Sequence, residues 1–238
     1  MCAAPADQKP TGPPATRRRI WSELKAYADS RGSTFLAAAI IIAGQAWLAG
    51  SLALRPVWLL PALSAALLIA SVAVYRSDLQ EPSIRMRLFA RGVVALLAGG
   101  NAIYLVLLVR DVFQKSTLDP LGLLLAGVVL WAVNIAVYAL AYWEVDGGGP
   151  EDRARDSEKL PDLVFPQQQA DQEGLAPKGW TPGFADYLYV SVTAATAFSP
   201  TDAMPYSRTA KLLMGSESTI SIAVVVMLVA RAINIAKG

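Results

Sequence analysis

Five apolar stretches, at about residues 34–54, 57–75, 88–109, 118–143 and 209–233, constrain this chain more than anything else in it. Each is near or above the ~20 residues that a helix needs to cross ~30 Å of hydrocarbon. A segment in lipid must satisfy all its backbone donors and acceptors internally, so stretches of this length are expected as helices. The fold class that follows is an all-α membrane protein with about five transmembrane helices. Hydrophobic residues make up 54% of the 238 residues and charged residues 17%, an apolar excess over ordinary globular chains. Trp58, Tyr75, Tyr138, Tyr142 and Trp143 lie mostly near span ends, with Arg55, Arg76, Arg91 and Arg110 beside them, as interfacial anchors do. Trp131 is the exception, falling in mid-span.

Four regions follow from the pattern. Residues 1–33 form a Pro-rich, then basic tail, expected to be disordered to about Thr16. Arg17, Arg18, Arg19, Lys25 and Arg31 then alternate with Ile20, Trp21, Leu24 and Tyr27, a pattern suited to an interfacial helix on anionic lipid or to a solvated basic flank that sets topology. Residues 34–143 hold four transmembrane helices. Residues 144–182, with GGGPEDRARDSEKLPD and a Gln-Gln-Gln run, read as a flexible polar connector because such a composition buries little; a short ordered piece is allowed around Leu163, Val164 and Phe165. Residues 183–238 contain the motif described below and the final span. The tail lacks the short apolar core and cleavage site of a secretory signal.

Side-chain chemistry narrows the function. The chain has no histidine and one cysteine, Cys2, which excludes imidazole catalysis, the common zinc sites and an intramolecular disulfide. No phosphate-binding glycine loop or nucleophile arrangement occurs. The chain is therefore expected not to be an enzyme and to carry no cofactor. A net charge of +2, with basic residues at membrane edges and not in one stripe, gives no nucleic-acid partner.

The region after the connector contains Asp186-Tyr-Leu-Tyr-Val-Ser-Val-Thr-Ala-Ala-Thr-Ala-Phe-Ser-Pro-Thr-Asp202, followed by Pro205, Ser207 and Lys211. It resembles the pore loop of the potassium-channel superfamily, D-A-L-Y-F-S-x-x-T-x-T-T-V-G-Y-G-D-x-x-P-x-T-x-x-G-R. The match is gapless at Asp186, Leu188, Tyr189, Ser191, Thr196, Asp202 and Pro205, and Ser207 and Lys211 stand where that family has Thr and Arg. The resemblance implies a re-entrant pore-type helix and loop, a tetramer, and passage of monovalent cations. The filter itself is rewritten, with Thr196, Ala197, Phe198, Ser199, Pro200 and Thr201 in place of T-T-V-G-Y-G. A potassium filter aligns backbone carbonyls to replace the ion's hydration shell, through left-handed dihedrals that glycine reaches freely. Ser199 and Thr201 strain such a backbone, and Pro200 fixes its own φ and pushes Ser199 toward an extended conformation. The reading is a weakly selective cation channel; the alternative is a non-conducting scaffold or accessory protein in which the motif is a packing element.

Sidedness conflicts with that family. Five Lys and Arg lie between Arg17 and Arg31 and four between Arg76 and Arg91, against Arg55, Arg110 and Lys115 in the opposite loops. The positive-inside rule puts the N-terminus in the cytoplasm of a multi-pass protein of a bacterial inner membrane. Four spans later the connector is cytoplasmic, whereas potassium channels enter their pore loop from outside. An inverted loop is preferred to an external one, and to a complete crossing by residues 183–203.

Polar residues inside lipid spans are costly and invite a functional reading. Glu217 is read as a pore or cavity carboxylate, or as a brace for the backbone at Ser199–Thr201. Asp202 is read as one of a ring of carboxylates that concentrates cations, or as a turn or cap for the next helix. Thr193, Thr196, Ser199 and Thr201 form a hydroxyl ladder that lines a constriction in a multimer or bonds back to helix carbonyls in a monomer. Gln45, Asn101 and Asn134 are expected to join helices by hydrogen bonds, and Arg231 and Asn234 to anchor the last span.

Overall fold

The computed structural model describes residues 15–52, 56, 58–77, 84–113, 119–154, 159–172, 180–196 and 202–237. Among them the chain forms helices α1 (Ala15–Ser51), α2 (Leu59–Ser77), α3 (Ile84–Phe113) and α4 (Pro120–Val145). A 3-10 turn follows at Asp146–Gly148, then α5 (Pro150–Ala154), β1 (Leu163–Val164), α6 (Pro166–Gln172), α7 (Phe184–Thr196), β2 (Met204–Pro205) and α8 (Arg208–Lys237). Four stretches are long and apolar enough to cross a membrane, namely Arg31–Ser51, Arg87–Phe113, Leu121–Gly148 and Arg208–Ile233. The sequence stretch at 57–75 corresponds to a shorter apolar helix, Leu59–Tyr75. Among the described residues the protein is all-α in character, with one two-residue strand pair.

Local chemistry sets the helix starts. Asp119 caps α4 by accepting from Gly122 N at 3.0 Å, with Pro120 at the first helical position, where its missing N–H is no loss. The Gln168 side chain accepts from Phe165 N at 2.8 Å behind Pro166, and the Asp186 side chain accepts from Gly183 N at 2.7 Å. Both are the return half of a capping box. Ser207 Oγ accepts from Ala210 N at 3.0 Å and caps α8, the role that Asp202 was one candidate for.

Neighbouring spans run antiparallel. Phe35 of α1 meets Tyr75 of α2 edge-on at 5.6 Å, Asn101 of α3 bonds Asn134 of α4 at 2.8 Å, and Asn134 reaches Ser221 of α8 at 3.4 Å. The center of the bundle is α4, whose span is 56% buried against 17% for that of α8. Small residues allow the closest approaches. A Cβ on Gly44 would meet Val133 of α4 at 2.7 Å, and one on Gly127 would collide with Leu228 of α8. The outward faces are apolar, with Leu36, Ile69, Val106 and Leu212 all exposed, as suits a surface solvated by lipid.

Two expectations change. The connector is folded where it is described, both at the short piece allowed around Leu163, Val164 and Phe165 and beyond it, in α5 and α6. Leu163 and Phe165 are buried in the same core as Val137, Tyr142 and Trp143 of α4, and Gly147, Gly148 and Gly149 take φ of 59°, 86° and 104°. Glycine reaches that left-handed region without steric cost, so the triplet serves a tight reversal after α4. The basic stretch at 17–33 is not a separate interfacial helix, because α1 runs unbroken from Ala15 into the span; residues 1–14 lie outside the described part.

β1 pairs antiparallel with β2, Leu163 opposite Pro205 and Val164 opposite Met204. Tyr206 N adds a bond to Asp162 O at 2.9 Å. The start of α8 is thereby fixed to the connector, at the end of the bundle where α4 finishes.

Candidate functional site at the junction of α4, α7 and α8

On α4, Asn134, Tyr138 and Tyr142 recur every four residues and share one face. On α8, Glu217 and Ser221 do the same. Antiparallel packing of the two faces produces a polar seam inside an otherwise apolar bundle, in three layers.

The middle layer is centered on Glu217, which is 0% exposed. Tyr142 Oη donates to Glu217 Oε2 at 2.5 Å, and Ser191 Oγ of α7 is hydrogen-bonded to Oε1. Ser191 Oγ also lies 2.7 Å from the Ile135 carbonyl, so one hydroxyl touches α4 and α8 together. Ser218 Oγ donates to Ala194 O at 3.0 Å, a second tie between α8 and α7, and Tyr138 and Ser216 hydroxyls pair at 2.9 Å.

Toward the connector lies the layer of Asp146, which is 1% exposed. Its Oδ1 accepts from Asp162 N at 2.7 Å and Leu163 N at 2.9 Å, and its Oδ2 accepts from Tyr187 Oη of α7 at 2.6 Å. Arg153 of α5 lies over Trp143 at 4.5 Å and over Tyr187 at 5.2 Å, a cation–π arrangement, while donating to the Trp143 and Asp146 carbonyls at 2.9 and 2.5 Å. Burial, partly offset by the Arg153 guanidinium, holds the Tyr187 phenol well above its ordinary value, so it stays a donor to Asp146. Beyond it, Arg87 pairs with Asp152 at 2.8 Å and Arg91 donates to Gly148 O at 3.1 Å. Arg31 pairs with Glu144 at 2.5 Å, both nearly unexposed. In the third layer, away from the connector, Asn101, Asn134 and Ser221 bond in series, and Gln45 donates to Leu97 O at 2.8 Å.

The residues singled out from sequence separate here. Thr193 bonds back to Tyr189 O and Val190 O at 3.1 and 2.9 Å, and Thr196 to Thr193 O at 3.1 Å, so in the single chain these hydroxyls serve their own helix. Ala197, Phe198, Ser199, Pro200 and Thr201 lie outside the described residues. Asp202 is exposed, with Tyr189 Oη at 3.5 Å, a distance too long for a strong bond. Glu217 joins α4 to α7, and its described partners are Tyr142 and Ser191. Sequence reasoning missed Asp146, Tyr187 and Arg153 as a set. The one local signal for Tyr142 was its four-residue spacing from Asn134 and Tyr138, which pointed it along the same seam.

No protein-family model, no curated protein and no solved structure matches the chain.

Proposed function

We propose that this multi-pass membrane protein assembles around a re-entrant pore-type hairpin and passes monovalent cations with weak selectivity. The supporting observation is the pairing of β1 with β2. It fixes Met204 to the connector, the same end at which α7 begins beside Trp143 and Asp146. A 13-residue α7 is ~20 Å long at 1.5 Å per residue, short of the ~30 Å hydrocarbon core. From Thr196 the chain then reaches Met204 over at most ~28 Å. A helix that starts at the connector end, with the chain back at that end by Met204, fits the path of a pore loop.

The rest of the proposal follows from that path. A tetramer brings four α7 hairpins to one axis, with α8, the least buried span, beside them. Asp202, exposed at the connector end, then contributes to a cation-attracting ring. The connector end also gathers Arg31, Arg87, Arg91 and Arg153, which favors that end, and with it the N-terminus, on the cytoplasmic face of the inner membrane next to anionic lipid. A scaffold role without conduction is the second reading, favored by Thr193, Thr196 and Glu217 all finding partners within one chain.

Three measurements test this. Purified protein in nanodiscs is expected to be a tetramer and, in liposomes, to conduct potassium and sodium within a few-fold of each other. A monomer without flux selects the scaffold, and strong potassium preference rejects the account of the rewritten filter. For sidedness, single cysteines replacing the exposed Leu160 or Gln169 in a Cys2→Ser background are expected to be shielded from impermeant thiol reagents in intact cells. Labeling from outside reverses the proposed orientation.

A further inference from the structure

Glu217 sits in the interior of the bundle with two hydroxyl neighbors, and among the described residues no basic side chain pairs with it. The titratable or charged groups that face this position are few. Tyr138 and Tyr142 come from α4. One layer nearer the connector are Tyr187 of α7, Asp146 just beyond α4, and Arg153 of α5 stacked on Tyr187. All of the latter are engaged with one another.

Counting protons decides between the two forms of the carboxyl group. Three contacts run in series, from Tyr142 Oη to Glu217, from Glu217 to Ser191 Oγ, and from Ser191 Oγ to the Ile135 carbonyl. A carbonyl oxygen only accepts, and each hydroxyl has a single proton to give. With Glu217 as a carboxylate, the Ser191 proton satisfies either Glu217 or Ile135, and one close oxygen pair has no proton between its members. With Glu217 as a carboxylic acid, Tyr142 donates to Oε2, Oε1 donates to Ser191, and Ser191 donates to Ile135. Every contact then holds one proton and every proton has a use.

We propose that Glu217 is an intramembrane proton-binding site which, while occupied, fastens α7 to α4 and α8. Losing the proton leaves a negative charge in the interior with no cation paired to it, a costly arrangement, and sets two oxygens of the Glu217, Ser191 and Ile135 series against each other. The bond that ties α7 to both spans is the one that weakens. The inference concerns the single chain and does not depend on conduction.

The test uses the full chain in lipid nanodiscs. Infrared spectra at neutral pH are expected to contain a protonated-carboxyl C=O band that vanishes in Glu217→Gln, a side chain that still donates to Ser191 and accepts from Tyr142. Loss of carboxylate intensity instead overturns the proposal. The second readout is a cysteine at Val190, a buried α7 position, in the Cys2→Ser background. Because the thiolate is the reacting form, labeling of the cysteine climbs with pH in any background; its rate divided by that of the same cysteine in the Glu217→Gln background is expected to climb further with alkaline pH, by up to about tenfold per pH unit, the limit for release of one proton. A protonated band with a ratio that does not change with pH overturns the fastening role. Should Glu217→Gln fail to fold, Ser191→Ala serves the same purpose. Removing the acceptor of the Glu217 proton is expected to shift the band in frequency, and an unmoved band rejects the assignment.

Discussion

Asp146→Ala is expected to detach the connector from the bundle and to be among the most damaging single changes in the chain. The side chain is 1% exposed and accepts from the backbone N–H groups of Asp162 and Leu163 and from the Tyr187 hydroxyl. Alanine leaves three donors without their acceptor, at roughly 1–3 kcal/mol each when buried. The sum, discounted for local opening, is on the order of 3–6 kcal/mol. Because β1 and α7 both hang on this carboxylate, the loss should be visible as faster proteolysis within residues 159–172 together with a lower melting temperature. Asp146→Asn keeps one accepting oxygen and should fall between the two. An alanine variant that resists protease as the parent does would show that the connector is held by its apolar residues alone.

The second large effect is expected at Arg31. Its guanidinium reaches Glu144 across 113 residues of sequence at 2.5 Å, and both side chains are nearly fully buried. Arg31→Met takes the guanidinium away from a buried carboxylate, a change that typically costs about 3–5 kcal/mol, whereas replacing both members of such a pair is often close to neutral. Thermal denaturation of Arg31→Met, Glu144→Met and the double variant should therefore give a strongly non-additive cycle, with the double variant more stable than either single one. Additive single effects below about 1 kcal/mol would mean that the pair is solvated and merely marks the membrane edge.

What the sequence made legible was whatever repeats locally. Apolar runs of membrane length announced α1, α3, α4 and α8, and the Asp119-Pro120 and Gly183-Asp186 pairs mark helix starts that the structure uses. Asn101 and Asn134, expected as interhelical bonding partners, bond each other. What stayed hidden depended on pairing between distant segments. Apart from a short piece around Leu163, Val164 and Phe165, the connector read as a flexible linker because composition counts its charges without knowing that Asp152 meets Arg87, 65 residues away, or that Arg91 reaches the Gly148 carbonyl. Three consecutive glycines look like slack, yet each holds a positive φ in one reversal. Arg31 read as an edge charge and Tyr142 as an interfacial ring, because side-chain type alone does not say which end of a span tucks inward. Glu217 stood out in the sequence as a carboxylate inside a span, but its partners on α4 and α7 come from the relative rotation of three helices, which a linear pattern does not encode.

The position of α7 also dictates an order of events during biosynthesis. At 13 residues, it is too short to cross the hydrocarbon by itself. One side of its lodging, α4, emerges before it, while the other, α8 with Glu217 and Ser218, emerges after it. The contacts that hold α7 can therefore close only after α8 has been made. A chain that ends between Thr196 and Met204 lacks Glu217, the shared partner of Tyr142 and Ser191, and leaves β1 without its partner strand.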